Sequence, residues 1–143
     1  MNPSLAEFAK KNYSNTKSDL FAMFMERGFE LTMKNGYSAM VTMQSWMFLS
    51  SYEKLRKEIS ERACIASMAH LGARAFDSIG GEVVQSTAFV LKNKYTQDFK
   101  GSFLRLVDGK SEAEKQADFK LALKTQSKDS FFKASTEDFK KIP

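Results

Sequence analysis

The stretch Tyr37-Ser38-Ala39-Met40-Val41-Thr42-Met43-Gln44-Ser45-Trp46 decides the reading of the fold. Its first seven residues carry apolar side chains on both parities, the pattern of a strand covered on both faces. The pattern predicts a central parallel strand over Tyr37 to Met43. Before it, Asn35-Gly36 ends a helix, with Gly36 taking the left-handed conformation that stops the last turn. That helix is predicted to start at Thr16, whose hydroxyl can cap a free N–H while Asp19, three residues on, answers the positive helix end. Leu20, Phe24 and Leu31 share one of its faces, with Phe21 and Met25 beside them, and Gly28 in the middle either weakens the helix or lets a neighbouring element come close. Further upstream, Leu5 to Lys11 is a short helical segment followed by the turn residues Asn12, Ser14 and Asn15, a lead-in over residues 1–15.

Downstream, Ser50 and Glu53 form a capping-box pattern for a second helix reaching about Glu61, with Leu55 and Ile59 facing inward. Ala63 to Leu71 reads as another strand. The glycine-bounded loop from Gly72 to Gly81 leads into a further strand over Glu82 to Leu91, rich in Val, Thr and Phe. Two strands joined by a loop without a crossover helix pair antiparallel. Gly101 to Val107 adds one more strand, Asp108-Gly109 turns the chain, and Ser111 with Glu114 caps a polar helix through about Lys124. The remainder, with Phe131, Phe132, Phe139 and Ile142 among lysines, has no firm period. The elements together describe an α/β domain: helix, strand, helix, then an antiparallel strand pair and a C-terminal helix.

With 143 residues, 43% hydrophobic and 27% charged, the chain has the composition of one soluble domain and not of a disordered or fibrous one. No apolar run approaches the roughly 20 residues of a membrane-spanning helix, and the N-terminus has no secretory pattern, so a cytoplasmic location is expected. Cys64, the single cysteine, lies in an apolar run and reads as a small buried hydrophobe; His70, the single histidine, lacks the partners of a zinc site. No metal is expected. The net charge of +5 is concentrated from Lys92 onward, where twelve Lys and Arg face eight Asp and Glu. Because the acids are interleaved with the bases, this reads as a solvated mixed-charge surface more than as a dedicated nucleic-acid patch.

Open α/β sheets build ligand sites at the C-terminal ends of their strands, where Gln44, Ser45 and Trp46 would lie. Trp46 reads either as a core aromatic roofing the sheet or as a pocket wall. Arg74, Phe76 and Asp77, in the loop between Gly72 and Gly80, either pack or reach a ligand, since an aromatic face can stack on an unpaired base. His70 at a strand end reads as structural or as a general base. The sequence has no dinucleotide-type glycine turn, no phosphate-cradling glycine loop and no Gly-x-Ser-x-Gly elbow. No catalytic residue is assigned.

Lys17-Ser18-Asp19-Leu20-Phe21-Ala22-Met23-Phe24-Met25-Glu26-Arg27-Gly28 and the run from Met40 to Arg56 resemble the adenine-specific DNA methyltransferases of the phage-defence (BREX-type) and fused restriction-modification group. His70-Leu71-Gly72-Ala73-Arg74-Ala75-Phe76 and Ile79 to Leu91 extend the resemblance. It implies a partial Rossmann-like methyltransferase sheet, with residues 16–109 as the second half of a catalytic domain and 110–143 as a helical, basic tail. It also implies S-adenosylmethionine as cofactor and double-stranded DNA as partner of the intact enzyme, which methylates an adenine flipped from the duplex. By the same resemblance, Asp19, Leu20 and Phe21 lie by the cofactor's adenine. Gln44, Ser45 and Trp46 lie on the active-site rim, and Phe76 near the flipped base; Arg74, from the loop reading above, is the further substrate-binding candidate. The family's cofactor glycine motif and its Asn-Pro-Pro-Tyr motif do not occur in the sequence; Asn2-Pro3-Ser4 lacks the second proline and the aromatic. The chain alone is therefore expected to bind cofactor weakly or not at all and to be inactive. The alternative is a non-enzymatic interaction module that associates, with itself or another chain, through an exposed sheet edge.

Overall fold

The computed structural model describes residues 1–78, 84–139 and 141. Five strands form one mixed sheet: β1 (Tyr37–Met43), β2 (Cys64–Gly72), β3 (Ser86–Lys92), β4 (Gly101–Arg105) and β5 (Phe131–Ala134), in the order β1-β3-β2-β4-β5. The expected antiparallel pairing of the two middle strands is present, with Met68 opposite Phe89 and His70 opposite Thr87. β2 also pairs parallel with β4, and β4 antiparallel with β5. Gly101 lets β4 approach β2, since a Cβ there would lie 2.1 Å from the carbonyl oxygen of Ile65.

Five helices accompany the sheet: α1 (Pro3–Asn12), α2 (Leu20–Leu31), α3 (Glu53–Arg62), α4 (Glu112–Thr125) and the short α5 (Thr136–Phe139). Asn2-Pro3-Ser4 has a local explanation. Asn2 caps α1, its Oδ1 accepting from the Leu5 N–H at 2.9 Å, and Pro3 occupies the first turn, where its missing N–H costs nothing. On one sheet face α2 and α3 bury a continuous core: Ala22, Met25 and Phe29 from α2, Leu55 and Ile59 from α3, and Met68, Phe89 and Leu91 from the strands. Gly28 serves close approach, because a Cβ there would lie 2.9 Å from the Ser38 hydroxyl of β1. On the other face α4 covers only the β2–β4 side, through Ala122, Leu104 and Leu106.

Several expectations are corrected. The helix expected from Thr16 starts at Leu20, with Asp19 at the cap position but making no capping hydrogen bond. Thr16 is instead buried, its hydroxyl donating to Glu26 Oε2 at 2.6 Å. The helix ends at Leu31, and Asn35 takes the left-handed backbone (φ 67°) assigned to Gly36. Asn93 closes this turn, accepting from Asn35 N through its carbonyl and donating through its amide to the Thr32 carbonyl. Ser50 does not cap α3; Ser50–Tyr52 is a turn of 3-10 helix and Tyr52 is the cap residue, so Glu53 opens α3 instead of closing a box.

The largest correction concerns β1. Expected as a central parallel strand, it lies at the sheet edge, and among the described residues it pairs only with β3, antiparallel. Its outer residues Tyr37, Val41 and Met43 are exposed. The two-parity apolar pattern marks side chains suited to cover on both faces, and this chain covers one. The same holds for α2, where Leu20, Phe24 and Leu31 are exposed while the opposite stripe is buried. The strand expected from Glu82 starts at Ser86; Ile79 to Val83, including Gly80-Gly81, lie outside the described residues. The strand expected through Val107 ends at Arg105. In the tail, Ser111 caps α4 as expected, accepting from Glu114 N. The segment without a firm period holds β5, and α5, whose Phe139 ring meets Phe103 edge-on at 5.2 Å.

Candidate ligand-binding rim

β1, β2 and β4 run in the same direction, so their C-terminal ends share one rim of the sheet, and the start of β3 joins them. α2 leads into β1 from the opposite end and thus brings its own N-terminus to this rim. Asp19 and Phe21 therefore meet the segment that leaves β1, with Leu20 exposed between them. The Phe21 ring sits 5.7 Å from that of Tyr52. Burial pushes the Tyr52 hydroxyl up from its ordinary pKa and the Asp19 carboxylate adds to this, while a side-chain hydrogen bond with Ser45 acts the other way. Tyr52 thus joins Asp19, Phe21 and Ser45 into one group, although the sequence singled out only its neighbours.

Trp46 belongs to the core. Only 3% exposed, its Nε1 donates to Thr42 Oγ1 at 3.1 Å and its ring meets Phe89 at 5.2 Å. Arg56 fixes the turn behind it, donating to the Trp46 and Leu49 carbonyls at 2.9 and 2.7 Å. In this chain the indole is packed into the core cluster under the rim. Gln44 stays on the rim. Its backbone N–H donates to the Gln85 carbonyl at 2.9 Å, its side-chain amide donates to Gln85 Oε1, and its Oε1 is hydrogen-bonded to His70 Nε2. His70 also faces the exposed Phe48 ring, with centroids 5.9 Å apart. Burial, with Arg105 and Lys115 adding their charges, lowers the His70 pKa from its ordinary 6.5.

The Phe76 loop leaves the same rim after Gly72, which has φ +66° and leaves no room for a Cβ beside Val107. Arg74 also adopts a left-handed backbone (φ 58°). A reciprocal clasp holds the next residue: Asp77 N donates to Glu112 Oε1 at 2.9 Å, and Glu112 N donates to Asp77 Oδ1 at 3.2 Å. The clasp ties the loop to the first turn of α4 and leaves Phe76 partly exposed beside it. Below the loop, Lys115 is buried, its Nζ donating to the Leu71 and Leu106 carbonyls at 2.6 and 2.9 Å. Nothing in the sequence separates this lysine from its solvated neighbours, since α4 has no apolar stripe to mark its inner face.

Among the described residues no group of three or more His, Cys, Asp or Glu could hold a metal, and no helix is long and apolar enough to cross a membrane. Cys64 is buried, its Sγ accepting from Thr96 N at 3.2 Å. A concavity of about 720 Å³ lies off the rim, on the partly covered sheet face between Val41, Val90, Ala69, Leu104, Phe119 and Leu123. Its apolar lining suits a covering layer of protein more than a polar ligand.

The family model of the Eco57I restriction-modification methylase matches residues 1–76. Along its whole length the chain is 50% identical to the adenine-specific methyltransferase BrxX of Escherichia coli O9:H4 (strain HS), and 48% identical to the adenine-specific methyltransferase PglX of Lacticaseibacillus casei (strain Zhang). It spans only 11% and 12% of those two proteins. Among solved structures, the ATP-dependent Type ISP restriction-modification enzyme LlaBIII bound to DNA shares the fold with a TM-score of 0.62, at 15% identity, over 91% of this chain and 10% of its own. The type I restriction-modification methyltransferase subunit from Streptococcus thermophilus does so with a TM-score of 0.59, at 20% identity, over 93% of this chain and 32% of its own.

Proposed function

Because this chain belongs to the Eco57I restriction-modification methylase family, we propose that it supplies the second half of the catalytic domain of an S-adenosylmethionine-dependent adenine-specific DNA methyltransferase, acting in the cytoplasm in restriction-modification or phage defence. The observation that carries this reading is the convergence of Asp19, Phe21, Ser45 and Tyr52 at the rim where the strands end. Their chemistry fits the cofactor. Asp19 makes no capping bond, so its carboxylate is available to accept from an adenine amine, and exposed Leu20 with Phe21 offers apolar cover for the ring. Bound there, S-adenosylmethionine supplies a sulfonium-activated methyl group. Gln44 and Ser45 line the substrate side of the rim, and Phe76, steadied by the Asp77–Glu112 clasp, offers a plane on which an extruded adenine stacks, with Arg74 beside it for the DNA backbone.

The 143 residues contain neither the cofactor glycine motif nor Asn-Pro-Pro-Tyr, so the groups that would hold the methionine part and the target amine are not in this sequence. The chain alone accordingly transfers no methyl group and holds the cofactor weakly at most. The test is a tritium-transfer assay on adenine-containing duplex DNA, with the chain alone and then mixed with a polypeptide carrying the two motifs. Transfer only in the mixture supports the reading, and transfer by the chain alone overturns it.

The exposed edge of β1 favours a second reading, a non-enzymatic module that associates through that edge. Its N–H and C=O groups on the side away from β3 have no partner strand among the described residues, and Tyr37, Val41 and Met43 surround them with apolar surface. Light scattering separates the two readings: a concentration-independent monomer argues against the second.

A further inference from the structure

The three side chains Gln44, His70 and Gln85 come from three different segments and form one hydrogen-bonded row across the rim. With Gln44 Oε1 facing His70 Nε2, the row requires the Nε2–H tautomer, because an amide oxygen has no hydrogen to give. This commits the Gln44 amide. With its oxygen engaged, its nitrogen faces Gln85 and donates to Gln85 Oε1. The direction then passes to the last member: Gln85 is exposed, its oxygen is occupied, and the group left for a ligand is its NH2, which can only donate. Were the histidine proton on Nδ1, both amides would turn over and Gln85 would present an oxygen.

We propose that Gln85 is a substrate-contacting residue that donates an amide N–H to a hydrogen-bond acceptor on the target nucleotide, and that His70 is the positioning residue that sets this direction through Gln44. The inference rests on the reading of this rim as the substrate side of a methyltransferase, and it adds two residues to it. The acceptor is either a ring nitrogen of the adenine or an oxygen of its phosphate; both take the same N–H. Burial and the nearby Arg105 and Lys115 keep His70 neutral near pH 7, which preserves a single ring proton.

The probe is adenosine 5′-monophosphate, titrated into the isotope-labelled chain and followed by NMR. Expected first is a His70 ring protonated on Nε2 in the ligand-free chain; protonation on Nδ1 overturns the proposal whatever binds. On titration the Gln85 side-chain amide shifts. If adenosine reproduces the shift, the acceptor is on the base; if only the monophosphate does, it is a phosphate oxygen. Gln85→Glu, which keeps the size and loses the donor, weakens binding about tenfold, as does His70→Phe, while His70→Gln, which keeps an N–H donor of similar reach, restores it. Shifts at Gln44 and Phe76 without one at Gln85, or full binding by Gln85→Glu, overturn the inference and leave the rim assignment standing. A titration that moves no rim signal overturns the inference and leaves the rim assignment to the transfer assay with the polypeptide carrying the two motifs.

Discussion

The two faces of the sheet both carry apolar residues and meet different fates. On one, α2 and α3 close over Met68, Phe89 and Leu91, and the side chains there are nearly inaccessible. On the other, Val41 of β1 remains 56% exposed, Phe119 and Leu123 of α4 stand partly open, and only the stretch beside β4 is roofed. α2 repeats the contrast within a single helix: Phe29 is 2% exposed and Phe24, five residues earlier, 62%. Apolar character alone does not decide burial. A residue is buried only where a neighbouring element of the same chain is long enough and near enough to cover it.

Substitutions on the two faces should therefore differ sharply. The largest effect is expected from Phe29→Ala, which removes a ring wedged between α2 and the sheet and should cost about 3–5 kcal/mol in urea unfolding. Phe24→Ala, in the same helix, should stay within about 0.5 kcal/mol of the parent. Equal losses at the two positions would mean that the outer stripe of α2 is covered in solution.

Lys115→Met tests a polar point at which the partly open face is anchored. It keeps most of the stem but leaves the Leu71 and Leu106 carbonyls without their donor, and should cost about 1–3 kcal/mol. A neutral result would show that water takes over both carbonyls and that the lysine is not an anchor.

A smaller effect is expected from pH. The folded chain disfavours a proton on His70, through burial first and then Arg105 and Lys115, whereas the unfolded chain takes one at the ordinary pKa of 6.5. The unfolded state thus binds more protons just below that value. The stability contributed by neutral His70 is complete above it and is lost as the pH falls from it through the lower folded pKa. His70→Phe should flatten this slope in urea midpoints measured from neutral to mildly acidic pH; an unchanged slope would trace it to other groups. The smallest effect is reserved for Val41→Thr on the open face, within about 0.5 kcal/mol by the same measurement. A large loss there would show that the open face is covered by another copy in solution.

Much of the fold was legible because it depends on neighbours in sequence. The strands around Val41, Met68 and Phe89, the cap at Ser111 and the inward pair Leu55 and Ile59 follow from local period and capping chemistry. β5 was not legible, because Phe131 to Ala134 is too short to show a period and becomes a strand only by pairing with β4. The cap of α3 was misread for a related reason: Ser50 has the right spacing to Glu53, but the chain spends that turn on the packing of Trp46 and Tyr52. In the rim, Asp19, Phe21 and Ser45 meet at Tyr52 and Gln44 meets His70 and Gln85, whereas Tyr52, Gln85 and Lys115 gave no local signal. Each is defined by partners 7 to 44 positions away.

The sequence by itself determined the α/β alternation, the absence of a glycine cradle, the buried cysteine and the resemblance to adenine methyltransferases. All of these are properties of composition, period or motif. Only the tertiary structure decided which of two apolar faces is covered, that β1 stands at an edge, that Trp46 belongs to the core, and that His70 and two glutamines form one directed row. Those depend on which strands lie side by side, and pairing is set by contacts between residues distant in sequence, which no local pattern records.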